Sequence, residues 1–196
     1  MTSRSTRRTT EEARRIILEV ATALLANKSY ELPGLERLAE QAGVHKMTIY
    51  RAFGSREGLA RACAEWLCKQ EAALWTQTVK NCLDATGCRI RVLFTIIADR
   101  LLRETPTECR LHMLAPHFGD ASDDVCSTLE ERRRNLYDLL LELTKISAVK
   151  EPTALADALY LVWEGAVVPI RSEAERVRLA RNLPVVVDRL LKAYSI

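Results

Sequence analysis

Lys46, Met47, Thr48, Tyr50 and Arg51 fall within six consecutive positions and bring together two cations, two hydroxyls and a thioether. Such groups donate hydrogen bonds to base edges and phosphate oxygens, or touch a thymine methyl, so a helix presenting them on one side suits a DNA major groove. On a helical wheel with Ile49 facing inward, Met47 and Arg51 point outward. Lys46, Thr48 and Tyr50 lie on the flanks, and His45, Ala52 and Phe53 fall on the inner side. A second set, Cys109, His112, His117 and Cys126, offers the soft and imidazole donors that zinc takes. It follows no recognised ligand spacing, so neither a metal nor a cofactor is expected. No Ser-His-Asp or paired-carboxylate arrangement can be placed, so an enzyme is not expected. A helical protein-interaction module remains the alternative. It would be indifferent to changes at Tyr50 and Arg51. A third set, Cys63, Trp66, Leu67, Phe94, Cys109, His112, Leu136 and Trp163, recurs at helical spacing and can line a small-molecule pocket between helices. The same spacing also describes plain core.

The elements that must position these residues read as helix almost throughout. Apolar residues recur at three and four over 11–26, with Ala13, Ile16, Ile17, Val20, Ala21, Leu24 and Leu25 on one face. Pro33 and Gly34 punctuate the chain before a short helix over 35–42. Gly43 can take the positive φ that turns the chain into a second short helix over 45–52. Two short helices across a glycine-containing turn are the layout of a helix-turn-helix. Ser55 can cap a long helix to about residue 78. Further helices are expected around Ile90–Leu101, over 123–147 with Glu130–Arg134 as a charged outer face, from Pro152 to Pro169, and over 173–194 with a kink at Pro184. No strand is expected. The fold class is all-α, divided into a helix-turn-helix head at 1–54 and a helical body at 55–196.

The charge is unevenly shared. Residues 1–58 hold 10 Lys or Arg against 7 Asp or Glu, while the remaining residues hold 19 of each. The net +3 therefore sits in the first third, where Arg4, Arg7 and Arg8 form an arm with no acid among residues 1–10. That fits a polyanion partner, and equally a solvated tail. No apolar run approaches the roughly 20 residues of a membrane span, and the start has no secretory core, so a cytoplasmic protein without membrane contact is expected. The six cysteines form no CxxC pair. Cys63 and Cys68, five apart on one helix, lie about 8.6 Å apart at Cα, too far for a disulfide. The cysteines are expected to be small buried hydrophobes.

The stretch 17–59 resembles the N-terminal domain of TetR-family regulators. The likeness rests on Ala21, Leu24, Leu25, Tyr30, the run Leu38-Ala39-Glu40-Gln41-Ala42-Gly43-Val44, then Thr48-Ile49-Tyr50, Phe53, Ser55, Arg56, Glu57 and Leu59. It implies a ligand-responsive repressor bound to a double-stranded operator, with DNA binding in the head at 1–54 and ligand binding and dimerisation in the body at 55–196. Tyr50 and Arg56 would hold phosphates, Lys46, Met47, Thr48 and Arg51 would face bases, and Arg4, Arg7 and Arg8 would add phosphate or minor-groove contacts. Where the family often has Thr or Ser, this chain has Pro33 and Gly34, leaving the N–H groups at Gly34 and Leu35 to meet phosphate directly. His45 and Met47 replace a common Ser and Gly, and Arg56 a frequent Lys. The segment 155–168 is similar to the helix that builds the family's dimer face. A homodimer is therefore expected on helices 153–168 and 173–194, buried through Leu159, Val162, Leu183, Val187 and Leu190, with Gly165 and Ala166 allowing close approach.

Overall fold

Wherever apolar residues recur at three and four, the chain is helical. In the computed structural model, residues 10–26, 34–82, 86–103, 110–111, 114, 122–147, 149–167 and 172–195 are described, with backbone alone at 26, 86, 87 and 122–126. Those residues form eight helices: α1 (Thr10–Ala26), α2 (Leu35–Ala42), α3 (Lys46–Phe53), α4 (Arg56–Asn81), α5 (Thr86–Arg103), α6 (Ser122–Lys145), α7 (Pro152–Val167) and α8 (Glu173–Tyr194). The long helices fall within a few residues of their expected bounds. α8 runs on through Pro184 without ending. The missing N–H there takes one bond from the ladder, and the buried Ala180, Leu183, Val187 and Leu191 hold the helix to the core.

In the head, α1 buries Ile17, Leu18, Ala21, Leu24 and Leu25 against Leu35, Leu38, Ala39 and Ala42 of α2 and Ile49 of α3. Thr22 is buried too, its hydroxyl satisfied by donating to the Leu18 carbonyl at 2.7 Å. Gly43 ends α2 at φ 62 and ψ 41, as its position required. The Val44 N–H then closes back on the Ala39 carbonyl at 3.0 Å.

In the body, α5 packs on α8, α6 on α7, and α7 on α8, with α4 against α5 and α6. An isolated antiparallel bridge joins Val149 to Ser195, tying the α6–α7 connection to the end of α8. The helix α4, about 39 Å long at 1.5 Å per residue, serves both regions. Leu59, Ala60, Ala62, Cys63, Ala64 and Leu67 belong to a cluster with the head and with Leu111, Leu114 and Leu129. Trp75 and Val79 belong to a second cluster with α5, α6, α7 and α8.

Two expectations need correcting. Leu159, Leu183 and Val187 are not free for a dimer face, because they are buried inside the chain between α7, α8 and their neighbours. The apolar side chains left exposed on these helices are Leu161, at 70%, with Val185 and Val186. The run Glu130–Arg134 is not wholly an outer face either. Arg132 points into the core at 3% exposure, the acids beside it remaining outside.

Candidate nucleic-acid interface

α3 buries only Ile49. Ala52 and Phe53 are half-buried behind it, and Lys46, Met47, Tyr50 and Arg51 are exposed, with Met47 at 67%. Thr48 is half-buried on the flank. The expected outward face therefore exists. His45 is the exception: it caps α3 in an extended conformation (φ −80, ψ 146) and is exposed rather than inward. The residue before a helix has left the helical path, so the wheel does not place it. Its imidazole makes no side-chain cap.

The neighbours of α3 set its pose. Lys46 forms an exposed ion pair with Glu36 across the helix-turn-helix. The hydrogen bond from Lys46 holds the Glu36 carboxyl below its usual range, and the same bond holds the Lys46 ammonium above its own. The Arg14 guanidinium of α1 lies over the Phe53 ring, 5.1 Å from its centroid. Gly54, at φ 75, closes α3 by donating to the Tyr50 carbonyl at 2.8 Å. Ser55 then caps α4, accepting from the Gly58 N–H at 3.0 Å. Its hydroxyl also bonds Glu57, whose carboxyl is held below the usual range by that bond first of all. Gly58 itself is a steric requirement. A Cβ there would meet the Phe53 carbonyl oxygen at 2.0 Å, so the start of α4 rests directly on the end of α3.

Among the other candidates, Gly34 is exposed and caps α2 without a side-chain cap bond. The Leu35 side chain is buried, so only its backbone can face outward. Arg56 is half-buried in the first turn of α4. Arg4, Arg7 and Arg8 lie outside the described residues.

The ligand candidates do not share one lining. Cys63 and Leu67 are buried in the head-side cluster. Phe94, Leu136 and Trp163 are buried in the body cluster. Trp66 lines an open groove of about 490 Å³ between α1 and α4, with Arg15, Glu19, Thr22, Ala23, Gln70 and Arg110. Cys109 and His112 lie outside the described residues, as do His117 and the side chain of Cys126. Among the described residues no group of three or more His, Cys, Asp or Glu is placed to hold a metal ion.

Sequence reasoning missed a charged layer where the two clusters meet. Arg132 of α6 donates from Nε to Glu71 of α4 at 2.5 Å, with 2% and 10% of their side chains exposed. The guanidinium lies 4.8 Å from the Trp163 centroid and 6.0 Å from that of Trp75, and the two indoles meet edge to face at 6.3 Å. Nearby, Glu164 accepts from Arg133 and from the Tyr160 hydroxyl, both at 2.9 Å, so it is satisfied within the chain. Nothing in the sequence distinguishes Arg132 from the arginines beside it. A usable signal was that Glu71 falls four residues after Leu67 and four before Trp75, on the buried stripe of α4.

An all-helical chain with an exposed polar recognition helix, held by a tight turn and carried on a long shared helix, defines a helix-turn-helix DNA-binding protein. Residues 17–63 match the family described as bacterial regulatory proteins, tetR family. The transcriptional regulator AcuR of Cereibacter sphaeroides is 27% identical, over 76% of this chain and 72% of that protein. A TetR-family transcriptional regulator from Streptomyces coelicolor has the same fold, with a TM-score of 0.73 at 20% identity over 95% of this chain and 97% of that one. E. coli NemR, in its reduced form, gives 0.72 at 21% over 90% and 95%. The chain is a DNA-binding transcriptional regulator whose residues 17–63 match the tetR family and whose fold is that of TetR-family regulators.

Proposed function

We propose that the protein is a cytoplasmic, homodimeric repressor. It holds a double-stranded operator through the head at 1–54 and is released when a small molecule binds the body at 55–196. The observation that carries the reading is the face of α3, where Lys46, Met47, Tyr50 and Arg51 are exposed around one buried anchor, Ile49. Lys46, Met47, Thr48 and Arg51 meet base edges. Tyr50, Arg56, the amides at Gly34 and Leu35, and the arm at Arg4, Arg7 and Arg8 meet the backbone. One head covers only a few base pairs, so useful affinity needs two. Leu161, Val185 and Val186, exposed on α7 and α8, supply the dimer face. A Cβ at Gly165 would meet nothing within 4 Å, so that surface is open to a second helix. The effector acts on the body, whose core holds Phe94, Leu136 and Trp163. It shifts the operator equilibrium only by its differential affinity for the two states.

Binding to an operator selected from random duplexes tests the reading. Arg51→Ala should cost about 1–3 kcal/mol on the selected site and relax its sequence preference, whereas Arg56→Ala should weaken all duplexes alike and lower the salt dependence. If Arg51→Ala weakens selected and random DNA equally, Arg51 is not a base reader. Sedimentation of a monomer alone at micromolar concentration would remove the dimer.

A further inference from the structure

The far end of α4 carries chemistry that DNA reading does not use. Cys82 ends α4 and Cys88 lies in the first turn of α5. Their Sγ atoms are 3.1 Å apart, about 1 Å beyond the roughly 2.05 Å of a disulfide. Both residues are half-buried and not sealed in the core, contrary to the expectation of buried hydrophobes. The Arg89 Nε donates to the Cys82 carbonyl at 3.3 Å, holding the two helix ends together around the sulfurs. The contrast lies on the same helix. Cys63 is fully buried, and desolvation pushes its thiol up to about 12, so it has neither access nor thiolate.

We propose that Cys82 and Cys88 are a redox-active pair that closes reversibly to an intramolecular disulfide when a hydroperoxide reaches it. One thiolate attacks the peroxide oxygen, breaking the O–O bond and giving a sulfenic acid and hydroxide, which takes up the proton the thiol released. The second sulfur, losing its proton, attacks the sulfenic sulfur, forms the S–S bond and expels hydroxide, which leaves as water. Overall two thiols and one hydrogen peroxide give one disulfide and two waters: the sulfurs are oxidised by two electrons and the peroxide is reduced by two. Exchange with a low-molecular-weight thiol reverses the step. In a reducing compartment such a bond is transient, so the pair responds to oxidant and is not a fixed staple. When closed, it pins the last turn of α4 to the first turn of α5.

The test is unusually direct because trypsin, cutting after Lys80 and Arg89, releases both cysteines in the single peptide Asn81–Arg89. The full-length reduced protein is treated with hydrogen peroxide, and remaining thiols are blocked before digestion. The peptide should appear lighter by two hydrogens before Cys63 is modified, and dithiothreitol should restore it. Cys82→Ser and Cys88→Ser should each abolish that species and leave the remaining thiol as sulfenic acid or its further oxidation products. The proposal is overturned if the wild-type peptide stays reduced while other cysteines oxidise. It is equally overturned if its thiols go to sulfinic acid without passing through the disulfide. Circular dichroism of both serine variants separates these outcomes from misfolding.

Discussion

The two halves of α4 bury their inner faces in different ways. From Leu59 to Leu67 the buried positions are leucine, alanine and cysteine, small and apolar, packed against the head. From Glu71 to Val79 they include a carboxylate, a threonine and an indole, packed against the body. The first half needs only volume and shape, so it holds the head rigidly to the rod. The second half buries a charge that must be met by a partner, here Arg132, whose guanidinium also lies close to the Trp163 and Trp75 rings. A buried ion pair is a poor source of net stability, because desolvation consumes most of the Coulombic gain. Its directional demand on both partners favours one register of α4 against α6. The rod that carries the recognition helix is thus clamped apolarly at the head and keyed electrostatically in the body.

The largest effect should come from breaking that key. Glu71→Ala removes the carboxylate that Arg132 Nε donates to and should cost about 3–5 kcal/mol in urea unfolding. The double variant Glu71→Leu/Arg132→Met should recover most of the loss, since an apolar pair of similar volume removes both desolvation costs. A double variant as unstable as the single one would mean the guanidinium is needed for its packing on the indoles and not as a charge.

Next in size is the joint at the other end. Gly58→Ala forces a Cβ to within 2.0 Å of the Phe53 carbonyl, and that neighbour is backbone, which cannot swing aside. A loss of about 1–3 kcal/mol is expected. DNA affinity should fall with it, because the end of α3 has to move. Unchanged affinity in a gel-shift titration would show that α3 keeps its pose without that contact.

The head was far more legible in the sequence than the body, and for a physical reason. Gly43 and Ser55 are dictated by local backbone needs, a positive φ and an orphan N–H, and local needs are written in adjacent residues. The outward face of α3 followed from one inward anchor. His45 was misplaced because it stands before the helix, where the wheel no longer applies. In the body the arginine partners of Glu71 and Glu164 lie 61 and 31 residues away, and no spacing rule connects residues so far apart. Leu159, Leu183 and Val187 look the same in sequence whether they face a partner copy or their own core. The structure assigns them to the core and leaves Leu161, Val185 and Val186 outside. Cys82 and Cys88 were invisible as a pair because a helix end and a helix start, not a motif, bring them together.

A smaller effect should follow loss of the cap on the apolar half. Ser55→Ala removes the acceptor for the Gly58 N–H and should cost about 1 kcal/mol. The midpoint of thermal unfolding reads it. Ser55→Asp, which restores an acceptor, should recover it.

The smallest effect at neutral pH lies at Cys63, and it separates the two ends of α4 by chemistry. Burial, opposed only slightly by Arg14, raises its thiol from an ordinary 9.0 to about 12. The folded state therefore holds a proton that the unfolded chain releases first, and an acid raised by folding favours the folded state while it stays protonated. Its contribution is complete below about pH 9 and drains away as the pH climbs towards 12. Cys63→Ala removes the titration but not the neighbours that also ionise there, so the informative quantity is the difference between wild type and variant. That difference should be constant from pH 6 to 8 and should narrow above pH 9. In the same window iodoacetamide should alkylate Cys82 and Cys88 in the folded protein long before Cys63. Rapid native labelling of Cys63 at pH 8 would mean that the head-side cluster opens, and that the apolar half of α4 is the looser of the two.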